Sequence, residues 1–181
     1  MSGPVNFNAG FRSMHRDKLP RSAFQERVQD TYKTKGKLPE PTVCPQCGAV
    51  YHRGRWQWLP EPEGAHEQRC PACHRVHDQR PAGYVTLAGG FLAQHRDEIL
   101  HRVRNHGEKA RAEHALERII AIVDHDGGVM VTTTDIHLAR GIGEALEHAY
   151  QGTLEFHYND AENLLRVHWE RDAVKAGPHA V

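Results

Sequence analysis

The sequence predicts an α+β protein: a small metal-organised ribbon, a helical connector, and a ββαββ unit with an antiparallel sheet. Three observations predict it. Cys44-x2-Cys47 and Cys70-x2-Cys73 hold the only four cysteines in 181 residues, and each pair has the two-residue gap of a metal knuckle. Residues 117–171 contain four strand-like stretches around one segment of helical period. Residues 1–40 have no sustained apolar period and contain Gly3, Pro4, Gly10, Pro20, Gly36 and Pro39, which predicts a disordered arm. The expected divisions are therefore an arm at 1–40, a ribbon at 41–88, a helical connector at 89–116, the ββαββ unit at 117–171 and a tail at 172–181.

Composition narrows the class. Hydrophobic residues make up 39% of the chain and mean hydropathy is −0.68, so one large apolar core is not expected. No run of about 18 apolar residues occurs, which predicts no transmembrane helix. The first ten residues show no basic segment followed by an apolar one, so no secretory signal is expected. Metal-spaced cysteines without an export signal point to a reducing cytoplasm rather than to disulfides. The net charge of zero conceals an asymmetry: residues 1–43 hold eight Lys/Arg against four Asp/Glu, and residues 81–181 hold ten against fifteen. A polyanion would be met by the front half.

In the arm, a short helix near Ser22–Tyr32 is expected, and eight basic residues are spread from Arg12 to Lys37. They read either as an arm that orders on RNA phosphates or as a tail kept soluble by charge. Tyr32, Lys33, Lys35 and Lys37 form its best local candidate, an aromatic among three lysines.

In the ribbon, Gly48 suits the positive φ that a knuckle turn needs after its second ligand. Twenty-two residues separate Cys47 from Cys70, close to ribbon spacing. The metal reading, Zn2+ on Cys44, Cys47, Cys70 and Cys73, competes with redox-active pairs, but no thioredoxin-like strand–helix unit is evident. His66, His74 and His77 are placed to replace a thiolate, though the four cysteines suffice. A site closed by four sulfurs has no open position for water and is structural. The zinc-deaminase signature is absent, because the prolines follow the cysteines and His66 adjoins Glu67.

Between the knuckles, residues 49–59 predict a hairpin around Gly54. Trp56 and Trp58, two apart, share a strand face. With Arg53 and Arg55 interleaved, they read either as a stacking surface for unpaired bases or as the cover of a small metal core. Gly83–Leu87 is expected to close the ribbon as its last strand.

The run from Lys37 to Gly48, the Arg55-Trp56-x-Trp58 hairpin and Cys70-Pro-x-Cys73 resemble a small bacterial zinc-ribbon family, as does the later run from Val131 to Arg140. That resemblance covers roughly residues 30–171. The family is in turn similar to the N-terminal region of the Nmd-three-type adaptors for export of the large ribosomal subunit, although those carry four cysteine pairs and this chain two. The resemblance implies association with a ribosome or its large subunit.

In the C-terminal half, Leu92, Ile99, Leu100 and Val103 recur at helical spacing up to an expected break at Gly107, with a second helical stretch at 108–116. Residues 118–123 and 129–133 predict strands around a Gly-rich turn. Thr134 or Asp135 caps a helix with the stripe Leu138, Ile142, Ala145, Leu146 and Ala149. Leu154–Tyr158 pairs with Leu165–Trp169 in a final hairpin. Its opposite face, Glu155, His157, Arg166 and His168, lacks the aromatics of an RNA platform and reads as solvated or as a protein contact. Thr132–His137 gathers hydroxyls, a carboxylate and an imidazole, which capping and β-propensity already explain; an enzyme using Thr134, Asp135 and His137 is the remaining possibility. No P-loop, nucleophile elbow or dinucleotide motif occurs, so no nucleotide cofactor and no catalytic residue is assigned. The expected function is non-enzymatic binding of RNA or a ribonucleoprotein through Lys33, Lys35, Lys37, Arg53, Arg55 and Trp56. The alternative is an adaptor that docks a protein partner on the C-terminal sheet.

Overall fold

The computed structural model describes residues 12–14, as backbone only, Tyr32 and residues 36–173. The helix expected near Ser22–Tyr32 lies outside the described residues apart from Tyr32, as do Lys33 and Lys35. The fold is α+β, with two mixed sheets and four helices among the described residues.

The ribbon is a four-stranded sheet in the order β4-β3-β2-β5: β2 (Thr42–Val43), β3 (Val50–His52), β4 (Arg55–Gln57) and β5 (His66–Glu67). The expected hairpin is β3–β4, and Tyr51 faces Trp56 across it. Arg53 and Gly54 turn the chain with φ of 51° and 78°, the paired positive values of a two-residue hairpin turn. Glu40 holds that turn, its carboxylate accepting from the backbone N–H groups of Arg53 (2.8 Å) and Gly54 (3.0 Å). These bonds keep the Glu40 carboxyl below its ordinary pKa. The second knuckle opens a helix, α1 (Pro71–Asp78), with Cys70 as its N-cap and Pro71 in the first turn, where its missing N–H costs nothing.

The large sheet runs β1-β9-β10-β6-β8-β7. It comprises β1 (Arg12–Met14), β6 (Gly83–Ala88), β7 (Ile119–His125), β8 (Gly128–Thr133), β9 (Thr153–Asn159) and β10 (Leu164–Glu170). Both expected hairpins, β7–β8 and β9–β10, are present. The strand Gly83–Ala88 is not the last strand of the ribbon. It lies between the two hairpins, parallel to β10 and antiparallel to β8, so the sheet is mixed rather than antiparallel. The cause is burial: Val85 and Leu87 are fully enclosed by the large core. Arg12–Met14 adds an edge strand on β9, a departure from the disordered arm.

The connector also departs from expectation. After α2 (Gly90–Gln94) the chain bends at His95, and α3 (Arg96–Glu113) runs unbroken through Gly107. Gly107 is a packing glycine: a Cβ there would lie 2.5 Å from Ile119 Cδ1. On the core face, α4 (Ile136–Tyr150) starts where Asp135 Oδ1 accepts from the N–H groups of His137 (2.7 Å) and Leu138 (3.4 Å). Its buried Leu138, Ile142 and Leu146 meet the inward set Leu154, Phe156, Leu165, Val167 and Trp169. No helix among the described residues is long and apolar enough to cross a membrane.

Candidate metal centre

All four cysteines converge. Their Sγ atoms lie within 4.8 Å of one another, and those of Cys47 and Cys70 are 3.8 Å apart. A tetrahedron of about 2.3 Å metal–sulfur bonds has an edge of roughly 3.8 Å, so the cradle fits such an ion. Local geometry builds it. Cys44 N–H donates to Ala49 O (2.8 Å) and Gly48 N–H to Cys44 O (2.9 Å), with Gly48 at φ 77°, closing the first knuckle. The backbone N–H of Cys70 donates to Cys44 Sγ (3.3 Å), and that of Cys73 to Cys70 Sγ (3.4 Å). Cys44, Cys70 and Cys73 are buried, and Cys47 is half-buried. His66, His74 and His77 are not among the clustered ligands.

One residue at the centre comes from outside the ribbon. Arg118, immediately before β7, donates through Nη1 to Cys73 Sγ (3.1 Å) and through Nη2 to Cys47 Sγ (3.0 Å) and Cys70 Sγ (3.6 Å). It is only 9% exposed, and Nε and Nη2 also donate to Ala115 O. Burial alone would lower its pKa, but the bonds to Cys47 and Cys73 outweigh that and raise it. The hydrogen bond from Cys70 lowers the Cys47 pKa, with Arg118 adding to it, while Cys70 is pushed up as the donor of that pair. A four-thiolate site on a divalent ion carries two net negative charges. Arg118 offsets part of that charge inside the fold.

Arg118 is itself anchored. Its N–H donates to Thr134 Oγ1 (2.9 Å), Thr134 N–H donates to Arg118 O (2.9 Å), and Thr134 Oγ1 donates to Leu116 O (2.6 Å). Thr134 therefore ties the metal cradle to the start of α4. Trp58 makes a second tie. Its Nε1 donates to Arg111 O (2.6 Å) in the last turn of α3, a carbonyl without a helical partner, and the Arg111 and Arg118 guanidiniums each lie 5.8 Å from its ring. Trp58 and Trp56 both pack on the cysteine cluster, together with Leu116.

The other candidate contacts divide. Arg53 and Arg55 are exposed on the hairpin, and Lys37 is exposed in the lead-in before it. Trp56 is half-buried, with Tyr51 edge-on to it at 5.6 Å. Lys33 and Lys35 fall outside the described residues. Tyr32 docks on α1, with the Arg75 guanidinium 4.6 Å from its ring and its hydroxyl donating to Asp78 (3.1 Å). A cleft of about 760 Å³ is lined by Trp56 and Trp58 of the hairpin together with Glu117, Asp135 and His137 of the segments 112–117 and 134–137. Thus the Thr134–His137 group lines the same space as the tryptophan hairpin. Nothing local in the sequence shows this.

Compared with known proteins, the chain matches no family model, no curated protein and no solved structure.

Proposed function

We propose that this is a non-enzymatic zinc-ribbon protein that binds RNA or a ribonucleoprotein, namely the ribosome or its large subunit. The observation that carries the reading is the cysteine cradle beneath the β3–β4 hairpin. A four-sulfur site with no open position does no hydrolytic chemistry, so its work is to hold out what surrounds it. What it holds out is a hairpin turn with Arg53 and Arg55 exposed and Trp56 lining a cleft. Cationic side chains beside an aromatic ring suit the phosphates and faces of unpaired nucleotides. Zinc is the ion of this reading, because a set of four thiolates at tetrahedral spacing selects it among the common divalent cations. The resemblance to ribosomal-subunit adaptors points the same way.

The test is sedimentation of the zinc-loaded chain with ribosomal particles from a lysate, at rising salt. Co-migration that fades as salt rises is expected, since each phosphate contact releases counterions. Migration in the free fraction alone, at low salt, would sink the proposal.

A further inference from the structure

The cleft itself has a chemistry that the hairpin alone does not explain. Its lining is aromatic in part, with Trp56 and Trp58 of the hairpin and Tyr51. Glu117 lines the same cleft, half-buried in the loop before β7. Burial and the nearby charge of Asp135 both raise its pKa, in that order. Among the described residues, no hydrogen bond or ion pair reaches the Glu117 carboxylate. Asp135 differs, because its Oδ1 already serves the α4 cap. Arg55 and Arg75 share the lining with the carboxylates of Glu113, Glu117 and Asp135, so the cleft is mixed in charge rather than strongly negative. A volume of about 760 Å³ lies within the range of sites that enclose a small ring system, roughly 300–1,000 Å³.

We propose that the cleft is a base-reading pocket: an unpaired guanine stacks on Trp56 and gives its N1–H and N2–H to the Glu117 carboxylate, while Arg55 meets the adjoining phosphate. This deepens the RNA-binding reading of the same hairpin and rests on it. The choice of base follows from donor–acceptor matching. An ionised carboxylate only accepts hydrogen bonds. Guanine presents two neighbouring N–H donors on its Watson–Crick edge, which two carboxylate oxygens take side by side. Cytosine and adenine present one amino group next to an acceptor nitrogen. Uracil presents one N–H between two carbonyls, and both carbonyls face the carboxylate unfavourably. Stacking on Trp56 is available to every base, so it supplies affinity, and Glu117 supplies the selection.

The experiment titrates the full-length, zinc-loaded chain into two labelled RNA nonamers, one all uridine and one with a single central guanosine, at low salt by fluorescence anisotropy. The guanosine nonamer is expected to bind tighter by about tenfold or more, the discrimination of one good bidentate pair. Glu117→Gln should bring the two affinities within about twofold of each other, and Trp56→Phe should retain the preference. Thermal melting of each variant shows that it is folded. Equal affinity for both RNAs in the unmodified chain would overturn the pocket while leaving RNA binding in place. No binding of either RNA at low salt would overturn both. An arginine-rich peptide held tightly, and lost with Glu117→Gln while RNA binding persists, would make the cleft a cation site and also overturn the proposal.

Discussion

Replacing Arg118 probes the metal centre more sharply than replacing a cysteine, because every ligand stays in place. In Arg118→Met the stem volume is kept, and the guanidinium bonds to Cys47, Cys70 and Cys73 are lost. A hydrogen bond to a charged partner is worth about 1.5–3 kcal/mol net. Three bonds from one guanidinium do not add, and the metal itself already stabilises the thiolates. A weakening of metal affinity by about 10- to 100-fold is therefore expected, the usual cost of losing a partner that supports the ligands. That equals about 1.4–2.7 kcal/mol. Arg118→Lys should fall between, since one ammonium restores charge but cannot fork across several sulfurs. Competition against a chromophoric zinc chelator measures both. The loss should change little between low and high salt, because the contacts are buried. An Arg118→Met chain that holds zinc within about twofold of the original would refute the charge-compensation argument.

Three further outcomes follow from other parts of the fold. Chelating the metal should expose the amides of residues 44–78 to hydrogen exchange while β6, β8 and β10 stay protected; equal loss in both regions would show one cooperative unit. Gly83→Ala would place a Cβ 2.4 Å from both Ala139 Cβ and Thr133 Oγ1, where β6 passes under α4. It should cost about 1–3 kcal/mol in urea unfolding, and an unchanged midpoint would contradict that packing. Burial first, and then Lys109, hold the His106 pKa below its ordinary value. The unfolded chain therefore binds the extra proton first: stability from this group is complete above the ordinary pKa of about 6.5 and falls as pH drops through that value. Thermal melts of His106→Gln should lose part of the decline between pH 7 and 5, and a parallel profile would rule His106 out.

What was legible in the sequence is what is decided locally. Cysteine spacing announces the metal cradle, Gly54 between two short strands announces a hairpin, and the Thr134–Asp135 pair announces the start of α4. The misread segments are those where tertiary burial overrides local pattern. Gly83–Ala88 follows the ribbon in sequence, yet Val85 and Leu87 need the larger core, so the strand crosses into the other sheet. Gly107 looks like a helix stop but is a contact point for Ile119, and a helix can carry that glycine when packing compensates the loss of about 1 kcal/mol. Arg118 has no local signature. The signal that could have found it is charge bookkeeping: four thiolates on a divalent ion leave a buried negative excess, and an arginine at the head of the apolar run Ile119–Val123 is a cation placed to be buried.

The two ties between the ribbon and the rest of the fold bear on how the cleft behaves. Its aromatic lining belongs to the cysteine ribbon, and its polar lining belongs to the loop before β7 and the start of α4. Arg118 touches both, holding three sulfurs through its side chain and Thr134 through its backbone. Trp58 repeats the connection through Arg111. Trp56 and Trp58 of the hairpin pack on the cysteine cluster, so an ion that holds the four sulfurs together also holds the seat on which those rings rest. Metal occupancy and the shape of the cleft are then thermodynamically linked: whatever binds between Trp56 and Glu117 favours the metal-loaded state, and the metal favours that ligand by the same factor.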